Sequence, residues 1–83
     1  MSNESLMMEG KLSGLKRDLI QQKLRVENLC ISMRTGLNTA LTPVDELDVA
    51  GISQQSRDFV LAFVEMQKTI SLIERLKKEL GRG

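Results

Sequence analysis

Hydrophobic positions recur along the chain at alternating steps of three and four residues in two long segments. This spacing follows one face of an α-helix, whereas a strand would alternate every two residues. We therefore predict helix 1 over about 11–38 and helix 2 over about 53–80. The helix 1 stripe is Leu12, Leu15, Leu19, Gln22, Val26, Leu29, Met33 and Gly36. The helix 2 stripe is Ile52, Ser56, Phe59, Phe63, Met66, Ile70, Ile73, Lys77 and Leu80.

The connection, about 39–52, contains the chain's one proline. Thr42 followed by Pro43 is typical of a helix start, because a hydroxyl can cap it and proline suits the first helical position. We predict a short helix over 43–49. The apolar side chains expected to plug this end of the molecule are Leu37, Leu41, Val44 and Leu47.

Glycines and a serine are expected to mark three of the helix ends. Gly10 and Gly14 each weaken a helix by up to about 1 kcal/mol relative to alanine, so residues 1–10 are expected to fray. Ser53 is the expected cap of helix 2, and Gly81 suits a left-handed residue after its end. The chain is thus predicted to be a single domain over 11–83.

The two stripes match when the helices are laid antiparallel, which predicts an all-α, coiled-coil-like hairpin. In the preferred register the paired residue numbers add to 92, as in Leu29 with Phe63 and Leu12 with Leu80. A slip of one heptad keeps the same steps and places Gly36 against Phe63. A cysteine crosslink between positions 29 and 63 tests the preferred register.

Further apolar residues lie outside both stripes, and residues 59–64 are apolar on every side of helix 2. A lone hairpin cannot bury such a helix, and exposed apolar patches usually mark interaction surfaces. We therefore expect a homodimer that forms a four-helix bundle, or a protein partner, and a role as adaptor, assembly factor or secretion-type chaperone. The expected interface residues are Ile20, Leu24, Ile31, Val60, Leu61, Val64 and Leu72.

Composition argues against catalysis. The 83 residues include no His, Trp or Tyr and one Cys, so the commonest general base is missing, and no catalytic residue, cofactor, metal site or small-molecule ligand is predicted. Cys30 is interpreted as a small buried hydrophobe rather than a redox thiol. Asp45, Glu46 and Asp48 are interpreted as acids at the start of the short helix, not as a cation site.

Charge is divided along the hairpin although the net charge is only +1. Residues 11–25 hold five basic and one acidic residue, residues 68–83 hold five and two, residues 26–67 hold two basic and six acidic, and residues 1–10 add two acidic residues. An antiparallel hairpin thus has a basic open end, and the alternative function is binding of nucleic acid or another anionic partner there. The candidate anion-binding residues are Lys11, Lys16, Arg17, Lys23, Arg75, Lys77 and Lys78.

The chain also carries no predicted targeting segment. Its longest apolar run covers 59–64, against about 20 residues for a membrane span, and its first residues lack the basic and apolar regions of a secretory signal. We expect a cytoplasmic protein with no membrane contact, which suits an unpaired cysteine.

Overall fold

Two long helices pack against each other in the computed structural model, which describes residues 3–81. They are α1 (Asn3–Gly36) and α2 (Val49–Glu79), and a short 3₁₀ helix (Val44–Glu46) lies between them. All regular structure in residues 3–81 is helical, so the predicted all-α hairpin is confirmed. The molecule is a rod of 64 × 18 × 16 Å, with a radius of gyration of 18.5 Å. A compact chain of this length would have a radius of about 12 Å.

The first helix begins earlier than predicted. It starts at Asn3 rather than near residue 11, so the described part of the expected frayed segment, residues 3–10, is helical. Ser5 and Met8 continue the three-four spacing outward from Leu12, and both are half-buried. This extra burial offsets the low helix propensity of Gly10.

The connection is shorter and less buried than predicted. Asn38 organises it, since its side-chain Oδ1 accepts from Ala40 N at 2.9 Å and its carbonyl accepts from Leu41 N at 3.0 Å. The short helix covers Val44–Glu46, with Pro43 at the cap position and no side-chain cap, so the predicted Thr42 cap was wrong. The predicted plug was also wrong, because only Leu47 is half-buried. Three of its members stay exposed: Leu37, Leu41 and Val44.

The ends of α2 are set by Asp48 and Gly81. Asp48, not Ser53 as predicted, caps the helix, and its Oδ1 accepts from Gly51 N at 3.0 Å. At the other end Gly81 has a φ of 76°, the left-handed conformation predicted for it. Its N–H donates to the carbonyl of Lys78 at 3.0 Å.

The interface between the helices uses the predicted stripe on α1 but a different one on α2. Leu12 is buried and the rest of the α1 stripe is half-buried. On α2, Phe63 remains 42% exposed and Ser56 is exposed, whereas Ala62 and Thr69 are buried. The predicted place of Phe63 in the seam was therefore wrong. The least exposed three-four stripe on α2 is Ile52, Gln55, Phe59, Ala62, Met66, Thr69, Ile73, Leu76 and Leu80.

Small residues explain why this second stripe faces α1. Ala62 and Thr69 occupy less space than Phe63 and Ile70, so the two backbones can approach more closely. The Thr69 hydroxyl donates to the carbonyl of Glu65 at 3.2 Å, so this polar group has a hydrogen-bond partner although it faces the helix interface. The predicted and observed stripes share every second residue, including Phe59, Met66 and Ile73.

The register changes together with the stripe. A Cβ atom built on Gly36 would lie 3.2 Å from Cγ1 of Ile52, so these two residues face each other near the turn. The preferred sequence register places Gly36 opposite Ser56, and the alternative places it opposite Phe63. Both were wrong, the first by about one helical turn.

Candidate interaction surface

An apolar belt surrounds the middle of the rod. We define it as the seven predicted interface residues together with Phe63, and all eight are exposed. The most exposed are Leu61 at 67% and Ile20 at 62%. Because Gly36 faces Ile52 and the helices run antiparallel, Leu24 lies level with Val64, near mid-length. The other members of the belt are Leu24, Ile31, Val60, Val64 and Leu72.

The belt is not confined to one side of the rod. Successive residues of an α-helix point about 100° apart, and within 60–64 only Ala62 is buried. Leu61 and Phe63 therefore flank the helix interface on opposite sides, and Val60 and Val64 point away from α1. On α1, the exposed Leu24 and Ile31 lie on the side away from α2.

Phe63 lies at one end of a largely apolar groove along α2. Its ring packs against that of Phe59, with centroids 6.1 Å apart and the planes tilted by 32°. The groove has a volume of about 530 Å³ and opens to solvent. Its lining residues are Phe63, Val64, Gln67, Lys68, Ser71, Leu72 and Arg75.

A second groove, of about 280 Å³, crosses from α1 to α2. Leu61 and the buried Ala62 contribute apolar surface, and Asp58 and Glu65 contribute carboxylates. Gln22 lines it from α1, and its Oε1 atom is buried with no hydrogen-bond partner among residues 3–81. Such a group is costly in an apolar interface, because the hydrogen bonds it made to water are not replaced.

The turn forms a separate apolar patch. Its exposed side chains are accompanied by three carboxylates, and residues 35–52 contain no lysine or arginine. The apolar members are Leu37, Leu41, Val44 and Val49, and the acids are Asp45, Glu46 and Asp48. The turn end of the rod is thus both apolar and acidic.

The predicted anion-binding residues lie in the half of the rod away from the turn. Because the helices are antiparallel, Lys11 and Lys77 come level with each other; Lys77 is half-buried and the other six residues are exposed. A surface cleft of about 520 Å³ is lined by Ser71, Glu74, Arg75, Lys77 and Lys78. Glu74 lines the same cleft and Glu79 follows Lys78 on α2, so carboxylates partly offset these cations.

Cys30 is exposed rather than buried. Its side chain is exposed and unpaired, so the interpretation as a buried hydrophobe was wrong. Its neighbour Leu29 lies in the seam, as predicted. Within residues 3–81, His, Cys, Asp and Glu form no group of three or more that could bind a metal ion.

Comparisons with known proteins give no relative from which a function for this surface could be inferred. No protein family, no curated protein and no solved structure gives a significant match to this chain. In the described part of the chain, neither long helix is apolar enough to cross a membrane.

Proposed function

We propose that this protein is a small non-enzymatic interaction module that associates through its apolar belt, first of all with a second copy of itself. The roles that suit such a module are adaptor, assembly factor or secretion-type chaperone. The observation that carries the proposal is the exposure of eight large apolar side chains around mid-length. Burial of each such side chain contributes about 1.5 to 3 kcal/mol.

The dimensions of the rod favour association along its length. A stable interface buries about 800 Å² on each partner. The long side measures 64 × 18 Å and can supply this area, whereas an end of 18 × 16 Å cannot. Since the belt lies at mid-length, a side-by-side arrangement brings it against the partner. Two hairpins packed in this way form a four-helix bundle.

Molar mass in solution tests self-association. Light scattering at high micromolar concentration should give twice the chain mass of 9.3 kDa. Val60→Glu and Leu61→Glu place a charge in the belt and should each weaken the dimer by at least about tenfold, because a carboxylate is costly to bury.

Ser13→Glu is the matched control, since it introduces the same charge at an exposed polar position outside the belt. Its dimer should weaken much less than those of the belt variants, because a single charge that stays exposed outside the belt costs little. Circular dichroism separates loss of dimer from loss of helix in every variant. A folded, monomeric wild-type chain at high micromolar concentration would overturn self-association and leave the belt to a different protein.

The basic half of the rod supports a second candidate, binding of an anionic partner such as nucleic acid. The antiparallel helices favour it by placing both basic segments in one half. No aromatic residue lies in either segment to stack on bases. The size of the salt effect separates the two functions: binding through phosphates weakens by orders of magnitude between 50 and 200 mM salt, whereas association through the apolar belt weakens far less.

A further inference from the structure

The charges of the rod bear on how two copies lie against each other. The described acids of the turn half include Asp45, Glu46 and Asp48, and those three residues have no cation within residues 35–52. The opposite half carries the exposed Lys11, Lys16 and most of the remaining basic residues. The fold thus makes each hairpin a rod with a basic half and an acidic half, although its net charge is close to zero.

We propose that the second copy docks antiparallel, with the turn of one hairpin beside the open end of the other. This inference rests on the proposed self-association and specifies its geometry. Two parallel rods would place basic against basic and acidic against acidic over their whole length. Inverting one rod brings opposite charges together in both halves, and complementary potentials of this kind fix orientation.

The position of the apolar belt agrees with the same arrangement. Leu24 and Val64 are level with each other near the middle of the long axis. In an antiparallel pair related by a twofold axis, the middle of one rod faces the middle of the other, so belt packs on belt. Full overlap also brings the whole 64 Å side into contact with the partner, whereas an end-to-end contact does not.

Spin labels at the turn measure the orientation directly. Thr39 is exposed at the turn, and Cys30→Ser removes the chain's one native thiol, so Thr39→Cys can carry a single label. Two labels in an antiparallel dimer should lie at a separation approaching the 64 Å length of the rod. In a mixture with Asn3→Cys, labelled at the exposed start of α1, a short distance between chains should appear.

A separation between Thr39 labels close to the width of two rods, each 18 Å across, would overturn the antiparallel arrangement while leaving self-association intact. Labelled chains that stay monomeric would instead contradict the proposed self-association. The two failures are therefore distinguishable in one set of samples.

Charge reversal gives an independent readout. One variant combines Lys11→Glu, Lys16→Glu and Lys23→Glu and makes both halves acidic. A second variant combines Glu27→Lys, Asp45→Lys and Glu46→Lys and makes both halves basic. All six positions are exposed, and the capping residue Asp48 is left unchanged.

At low salt each variant alone should self-associate at least about tenfold more weakly than the wild-type chain. An equimolar mixture of the two variants should recover the dimer. Salt should weaken the wild-type dimer, because the interacting charges are exposed. Variants that each dimerise alone as well as the wild-type chain, or a wild-type dimer that salt strengthens, would overturn the proposal.

Discussion

Asp48 and Gly51 together determine where α2 begins. The Asp48 carboxylate occupies the space beside Gly51, and a Cβ atom at that position would collide with it. The same carboxylate satisfies the Gly51 N–H at 3.0 Å, one of the backbone donors that the start of a helix leaves free. The glycine therefore leaves room for the capping carboxylate, and no unusual φ angle demands it.

This contact reverses the usual effect of replacing a helical glycine. Gly51→Ala should lower the free energy of unfolding by about 1 kcal/mol, because displacing Asp48 loses a cap worth about 0.5 to 2 kcal/mol. Gly14→Ala is the control, since among residues 3–81 no atom beyond its own stretch of helix lies within 4 Å of the added Cβ. It should stabilise by about 0.5 to 1 kcal/mol. Urea unfolding measures both, and a stabilising Gly51→Ala would contradict the proposed role of Asp48.

Single-residue features divide into those the sequence could predict and those it could not. Gly81 was predictable because a glycine after the last apolar position of a helix has one common conformation. The choice between Ser53 and Asp48 as cap was not, since both can accept from a backbone N–H and the helix start depends on the turn. Cys30 was wrongly interpreted as buried because free cysteine usually is, whereas its place outside the stripe that contains Leu29 leaves it exposed.

At the level of the helices, α2 carries two overlapping three-four stripes. Both contain Phe59, Met66 and Ile73, so periodicity alone cannot choose between them. The bulky Phe63 suggested one stripe, but the structure buries the small Ala62 instead. The α1 stripe was predictable because its apolar residues form a single consistent row. The register could not be predicted correctly once the α2 stripe was wrong.

Enlarging Ala62 tests which stripe faces α1. Ala62→Leu should lower the free energy of unfolding by about 1 to 3 kcal/mol, because a side chain added to a packed interface forces its neighbours to shift. Ala50→Leu makes the same change at an exposed position of α2 and should stay within about 0.5 kcal/mol of wild type. Chemical denaturation followed by circular dichroism compares them at matched protein concentration. Equal effects of the two substitutions would contradict the observed seam.

At the scale of the whole molecule, length and thinness decide how the chain can be stabilised. Two helices in a rod 18 × 16 Å across bury few residues; among residues 3–81 these are Leu12, Ala62, Thr69 and Ile73. A core of this size typically supplies only about 3 to 5 kcal/mol. A second hairpin that packs on the exposed belt would add apolar surface to this core. The fraction of dimer and the free energy of unfolding should therefore rise together with protein concentration.

Small-angle X-ray scattering distinguishes growth in width from growth in length. A side-by-side dimer should keep a long dimension close to the 64 Å of one rod while its cross-section increases. An end-to-end pair would instead approach twice that length at an unchanged cross-section, because only the turn patch and the open end would meet. Scattering across a dilution series should therefore show the cross-sectional radius falling as the dimer dissociates, with the long dimension nearly constant. A long dimension that doubles with concentration would contradict lateral packing and would favour contact through the acidic turn patch around Leu41 and Val44.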